Sequence, residues 1–347
     1  MSRPGPRMPF AQYPFGRTLP HAGAGRVPIT VVTGFLGAGK TTLIKRLIES
    51  EEGAGTALIV NEFGEIGIDD GLLTREGGEE VRLLGAGCVC CAAQSELHRT
   101  LRDLYGERER GRIPRFRRVV VETSGLADPS PALQALAIDR TLAEHYALRA
   151  LVVVIDAATA LDAAREHPEW RKQAMLADRF VITKSDLVTG ETLARLRDML
   201  TEANPGAERV VAADAVGSPL LLAPDGARMP TSAFLVGMPA IRAEHGALFT
   251  SFALEFDSAV DWEAFSRAMD LLVALQGPNI LRVKGFVQVA GRPGPVVVHH
   301  VQHLAHKPEE LRTWPDGIAR TRLVFITRDL DRDRVAALFN AALGLAG

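Results

Sequence analysis

The chain has 347 residues, 47% of them hydrophobic and 24% charged, with a formal net charge of −2 at neutral pH. That balance fits a soluble globular protein of about two domains, and it provides no whole-chain field to draw in nucleic acid or a membrane surface. No apolar run reaches the roughly 18–20 residues that cross a bilayer. All three cysteines fall within four positions, Cys88, Cys90 and Cys91, so a disulfide framework is excluded and a cytoplasmic location is expected.

Residues 1–27 are rich in Pro, Gly and Arg and contain no Asp or Glu. Such sequence reads as a disordered tail. Its prolines and glycines interrupt the amphipathic helix of an organellar targeting peptide, and no apolar secretion core follows. From Pro28 onward, apolar β-branched runs alternate with helical patterns. Strands are predicted at 29–32, 56–61, 81–84, 118–122, 148–155, 180–183 and 209–212, and helices between most of them, for example at 41–50 and 191–203. This is the α/β pattern of a mostly parallel sheet covered on both faces, spanning residues 28–220. Gly- and Pro-rich sequence at 221–245 reads as a linker. A smaller α+β domain is predicted for 246–347, with strands at 248–256, 280–289, 295–301 and 322–327 and helices at 262–275 and 332–343. Asp331 is placed to cap the last helix.

Gly34-Phe-Leu-Gly-Ala-Gly-Lys-Thr41 satisfies G-x-x-x-x-G-K-[ST] in full, with a strand before it and a helix after it. Gly34, Gly37 and Gly39, with Ala38 between the last two, let backbone wrap phosphate oxygens. The following helix turns its N-terminal N–H groups on the anion. Lys40 is expected to bridge the β- and γ-phosphates, Thr41 to ligate Mg²⁺ and Thr42 to reach the α-phosphate. The bland alternative is a glycine-rich turn without a ligand. Arg118-Val-Val-Val-Glu-Thr-Ser-Gly125 supplies the carboxylate such a site needs: Glu122 for Mg²⁺ through water, with the Gly125 N–H meeting the γ-phosphate. A solvated strand end is the competing reading of Glu122.

Thr183-Lys-Ser-Asp186 departs from the N-K-x-D element of GTPases at its first position. Asp186 is suited to accept hydrogen bonds from guanine N1 and N2, and the stem of Lys184 to lie over the ring. Thr183 is shorter than Asn and stands to lose a contact to the base edge. GTP is therefore favoured over ATP. Catalysis is expected to rest on Lys40 and the Mg²⁺ associated with Glu122. With no evident water-positioning residue or arginine finger, slow intrinsic turnover is expected.

Gly87-Cys-Val-Cys-Cys91 concentrates every thiol of the chain. Thiolates suit Zn²⁺, and also Cu⁺ or Co²⁺. A buried apolar cluster and a redox pair are the alternatives, although adjacent Cys90 and Cys91, with Cα atoms ~3.8 Å apart, make a strained disulfide. Three thiolates leave a tetrahedral site one ligand short, which suits a metal that is handed on. The cluster lies between the phosphate loop and Glu122, where P-loop GTPases keep switch segments that order around the γ-phosphate.

Together with Asn61-Glu-Phe-Gly-Glu65, Glu122-Thr-Ser-Gly-Leu-Ala-Asp-Pro129, Ile280-Leu-Arg-Val-Lys-Gly-Phe286, Trp314-Pro315 and Arg322-Leu-Val-Phe-Ile326, these motifs make the chain resemble the CobW-like P-loop GTPases from about residue 28 to the end. That family is related to the nickel-insertion GTPases of hydrogenase and urease. The resemblance implies a low-turnover GTPase that binds a transition metal at the three cysteines and delivers it to a client apoprotein. The implied cargo is zinc first, with cobalt for cobalamin synthesis and metal for nitrile hydratase as the others. Some members carry a Glu before the N-E-F-G-E stretch that joins the metal site; Val60 stands there in this chain, which excludes that ligand. The Thr183 departure occurs among relatives.

Four histidines cluster at His299, His300, His303 and His306. On a strand, His299 and His303 share a face but lie ~13 Å apart, too far for one ion, so a solvated strand edge is expected, with metal binding at the cluster as the alternative. His98 is read as a helix-surface residue, with a fourth-ligand role as the alternative. The basic run 108–118 reads as an exposed connection. Two readings compete with the GTPase chaperone: a metal-dependent docking switch with incidental hydrolysis, and a P-loop kinase, which lacks an evident acceptor-binding lid. The client is unidentified and a homodimer is left open.

Overall fold

The structure, a computed structural model, describes residues 26–61, 81–84, 91–130, 132–133, 139–204, 206–212, 241–242, 248–301, 304–315 and 317–343. The tail (apart from its last two residues), most of the linker, Cys88, Cys90 and His303 lie outside them. The chain divides into two compact units, one ending at Ile241 and the other beginning at Arg242.

The first unit is built on seven parallel strands: β1 (Val27–Thr33), β2 (Thr56–Asn61), β3 (Val81–Leu84), β4 (Arg118–Thr123), β5 (Tyr146–Asp156), β6 (Arg179–Thr183) and β7 (Glu208–Val211). Their order across the sheet is β3-β2-β4-β1-β5-β6-β7. Helices connect them: α1 (Lys40–Ile48), α2 (Cys91–Glu109), α3 (Arg140–His145), α4 (Ala160–Glu166), α5 (Pro168–Leu176) and α6 (Gly190–Ala203). Every residue of β5 except Arg149 is buried, which is why its sequence is a nearly unbroken apolar run rather than an alternation. Leu43, Ile44, Leu47 and Ile48 form one stripe of α1 against Val32, Leu58, Val120, Val152 and Val181. Burial of each such side chain contributes roughly 1.5–3 kcal/mol.

Two polar anchors hold helices to this sheet. The Tyr146 hydroxyl, at the start of β5, donates to the Leu101 carbonyl of α2 at 2.9 Å, and burial raises its pKa well above the ordinary tyrosine range. Beyond α6, Asn204 turns its side-chain N–H₂ on the C-terminal end of α5, 3.2, 2.9 and 2.8 Å from the carbonyls of Ala174, Met175 and Ala177. A helix end buried in protein needs donors for its last carbonyls, and Asn204 supplies them.

The second unit carries an antiparallel sheet of β8 (Ile241–Arg242), β9 (Leu248–Phe256), β10 (Ile280–Val287), β11 (Val296–Val301), β12 (Leu304–Ala305), β13 (Glu309–Glu310) and β14 (Thr321–Arg328). Its order is β12-β11-β10-β14-β9-β8, with β13 also on β11. The helices α7 (Trp262–Gln276) and α8 (Arg332–Leu343) share one core with this sheet, in which Phe252, Phe265, Phe325 and Phe339 meet. Asp261 and Asp331 accept the Ala264 and Arg334 N–H groups at 2.9 Å, the latter as the sequence suggests.

The histidines correct one expectation. His299, His300 and His306 are buried, at 8%, 0% and 7% exposure, and not on a solvated edge. β11 pairs with β10 on one side and with β12 and β13 on the other, so it is an interior strand. The rings of His299 and His306 stand edge to face, 6.2 Å between centroids.

Replacing Asn204 with Ala removes the amide donor from the Met175 and Ala177 carbonyls, and from that of Ala174, which keeps only the Ala177 N–H. A loss of ~2 kcal/mol is expected. Thermal denaturation of Asn204→Ala should show it as a melting temperature lower by roughly 4–8 °C.

Candidate functional site

The site lies at the C-terminal ends of the parallel strands, where the chain runs from β1 to β2 on one side of the sheet and later crosses from β4 to β5 on the other. Open α/β sheets bind ligands at such switch points. The turn after β1 depends on glycine. Gly34 has φ 142°, and a Cβ there would run into the carbonyl of Val154 on β5. The loop then passes through Gly37 and Gly39, both left-handed, with Gly39 the N-cap of α1. Lys40, the first residue of α1, folds its ammonium back across the loop and donates to the carbonyls of Gly34 at 3.0 Å and Phe35 at 3.3 Å. Thr41 and Thr42 follow on the exposed side of the first turn.

Glu122 reaches this loop because β4 is inserted between β1 and β2, pairing in register with Val32 on one side and Val60 on the other. The Thr41 hydroxyl donates to its carboxylate at 2.7 Å. At 5% exposure Glu122 is no solvated strand end. A hydroxyl and a carboxylate in contact make a hard-oxygen donor set, the chemistry Mg²⁺ selects. Beyond β4, Gly125 packs so closely on the phosphate loop that a Cβ would stand 2.7 Å from the Leu36 nitrogen. The Gly125 and Ala127 carbonyls accept from the Gln173 side chain at 3.2 and 3.0 Å.

On the β6 side, the Thr183 hydroxyl donates to the Ala38 carbonyl at 2.7 Å and lies 3.1 Å from that of Ile155. The sequence reading treats Thr183 as a weakened contact to a base edge. Its short side chain is instead directed at the phosphate loop. Lys184, at φ 53°, donates to the Gly37 carbonyl at 2.9 Å and to the Asp156 carboxylate at 2.6 Å. Asp156 is buried at the end of β5, and its second oxygen accepts the Ala158 N–H at 2.9 Å. Asp186 is exposed on a single 3₁₀ turn, Ser185–Leu187. Sequence reasoning passes over Asp156 and Gln173. The available signal for Asp156 is an acid ending a strand that is otherwise apolar from Leu151 to Ile155.

Of the three cysteines, Cys91 is the first residue of α2, and Cys88 and Cys90 lie outside the described residues. His98 sits half-buried two turns into α2. Among the described residues, no three His, Cys, Asp or Glu side chains gather to hold a metal ion, and no helix is long and apolar enough to cross a membrane. The run 108–118 is largely exposed, although Arg108 stacks on Tyr105 and Phe116.

Residues 28–211 match the CobW/HypB/UreG nucleotide-binding domain, and residues 249–343 match the cobalamin synthesis protein CobW C-terminal domain. The zinc chaperone YjiA of Escherichia coli is 31% identical over 316 residues, which cover 90% of this chain and 98% of that protein. The zinc chaperone CobW of Pseudomonas aeruginosa is 30% identical over 361 residues, covering 94% of each. The crystal structure of Zn(II)-bound YjiA GTPase from E. coli aligns with a TM-score of 0.63 at 28% identity, over 92% of this chain and 99% of that one. On its nucleotide-binding and C-terminal domains together, the chain belongs to the CobW/HypB/UreG family.

Proposed function

We propose that this protein is a GTP-hydrolysing metallochaperone that takes up zinc at Cys88, Cys90 and Cys91 and passes it to a client metalloprotein. The observation that carries the reading is the Thr41–Glu122 contact inside a complete phosphate loop, in a chain whose only thiols lie between that loop and Glu122. The names of the relatives, zinc chaperones along nearly their whole length, support it.

In this reading Thr41 and Glu122 hold Mg²⁺, which neutralises charge developing between the β- and γ-phosphates. Gly34, Gly37, Ala38 and Gly39 cradle the phosphates, Lys40 turns from its loop carbonyls to the β- and γ-oxygens, and Thr42 meets the α-phosphate. Lys184, its ammonium held by the Gly37 carbonyl and the Asp156 carboxylate, offers its stem as a floor for the base, while Asp186 accepts from guanine N1 and N2. Thr183 braces the loop and leaves the base edge to Asp186. Zinc is cargo. Cys91 opens a helix of 19 residues.

Zn²⁺ and Co²⁺ affinity, measured by chelator competition with and without Mg·GTP, tests the coupling. Binding should tighten at least tenfold with Mg·GTP and be lost in the Cys88, Cys90 and Cys91→Ser triple variant. Equal binding by the variant, or indifference to nucleotide, would overturn the proposal. Glu122→Gln should slow hydrolysis by about 10²-fold or more, a loss in the range of a missing transition-state charge contact, and should slow metal transfer to an acceptor chelator in step. Transfer at the wild-type rate would point to a docking switch in which turnover is incidental. Asp186→Asn removes two charge-assisted hydrogen bonds and should weaken GTP by two to three orders of magnitude while admitting XTP; a nucleotide titration reads it directly.

A further inference from the structure

Gln173 has no part in the chemistry assigned above, yet it is placed where that chemistry is controlled. It lies on α5 at 1% exposure, on a helix that also buries Trp170, Ala174 and Leu176. Burying a primary amide is costly unless its hydrogen bonds are met. The Gln173 N–H₂ meets them with the Gly125 and Ala127 carbonyls. These belong to a tight turn closed by the Ala127 N–H donating to the Ser124 carbonyl at 3.2 Å. The adjacent Lys172 pairs with Asp128, whose other oxygen accepts the Ser130 N–H at 2.9 Å. Two consecutive residues of one helix therefore hold one loop at three points.

The same helix also meets the phosphate loop. His167, the N-cap of α5, lays its ring 4.6 Å from that of Phe35. Gly125 in turn presses on Leu36. The far end of α5 is fixed by Asn204. A short helix anchored at its C-terminal end thus carries, on its other turns, both the phosphate loop and the loop that follows β4.

We propose that Gln173 is the positioning residue that sets the Gly125 loop for contact with a γ-phosphate, and that α5 thereby distinguishes GTP from GDP. The inference rests on the GTPase reading above. Tying down the carbonyls of Gly125 and Ala127 fixes the Gly125–Leu126 and Ala127–Asp128 peptide planes of the turn. The Gly125 N–H belongs to the preceding peptide, whose Ser124 carbonyl is held by the Ala127 N–H of that same turn. The fixed turn thus aims this donor before nucleotide arrives, and a donor oriented in advance costs no reorganisation when charge appears. GDP has no atom to meet that donor, so only the triphosphate senses the arrangement.

The test compares GDP with the non-hydrolysable triphosphate GppNHp, both with Mg²⁺, on the full chain by titration calorimetry. Gln173→Leu keeps the volume and removes both donors. GDP affinity should stay within twofold of wild type while GppNHp affinity falls about tenfold, the scale of one lost hydrogen bond to a charged group, and kcat for GTP falls with it. Lys172→Met, on the exposed side of the same helix, should shift the ratio about threefold in the same direction, and it carries the test if Gln173→Leu fails to fold. Equal loss for both nucleotides would mean a purely structural role and would overturn the proposal, as would an unchanged ratio in either variant. A wild-type protein that binds neither nucleotide would instead remove the GTPase reading on which the inference stands, a result the wild-type titration reports separately.

Discussion

The site depends on the insertion of β4 between β1 and β2. Parallel pairing in register carries Glu122 to the level of Val32, one residue short of the end of the strand that feeds the phosphate loop. A carboxylate so deeply buried needs a partner, and the first turn of α1 provides one in Thr41. A sheet that seated β2 directly beside β1 would leave that acid a full strand spacing away, roughly 4.8 Å further out. The sheet order is thus the precondition for a metal-ready oxygen pair, and the glycines allow the loop to close over it.

A second regularity runs through the loops. Lys40, Thr183, Lys184 and Gln173 all direct side-chain donors at backbone carbonyls of irregular segments, at Gly34 and Phe35, Ala38, Gly37, and Gly125 and Ala127. Loops that leave a sheet lose their ladder partners, and buried carbonyls must find donors elsewhere. Here the donors come from α1, α5 and the end of β6, so the phosphate loop and the Gly125 loop are braced from outside and do not settle independently. Asp156 extends the bracing: it holds the Lys184 ammonium at 2.6 Å and turns its other oxygen to the chain just beyond β5.

Much of the first unit is legible in the sequence, for physical reasons. Parallel strands covered on both faces must be apolar throughout, so β1, β4 and β5 stand out as runs of Val and Ile, and the phosphate loop announces itself because few residues other than glycine can take its dihedrals. The ends are less legible: β5 begins two residues before the predicted strand, at Tyr146, whose hydroxyl is held by α2 and whose neighbourhood has no distinctive composition. Gln173 and Asn204 are silent in the sequence, since each is an amide whose role is set by carbonyls far along the chain, and Asp156 shows only as an acid closing an apolar strand, its partner Lys184 lying 28 positions further on. The histidines of β11 mislead for a related reason. An interior strand and an edge strand can share one local pattern, and only the pairing with β12 and β13 decides between them.

The Thr183 hydroxyl has one more effect. A trans peptide holds its C=O and N–H on opposite sides, so an oxygen drawn toward one neighbour turns the following hydrogen toward the other. By engaging the Ala38 oxygen at 2.7 Å, Thr183 swings the Gly39 N–H away from β6, at the point where α1 begins and its macrodipole is most positive. One methyl-bearing alcohol, 145 positions further along the chain, thus orients a peptide dipole in another loop and shapes the local field at the mouth of the helix.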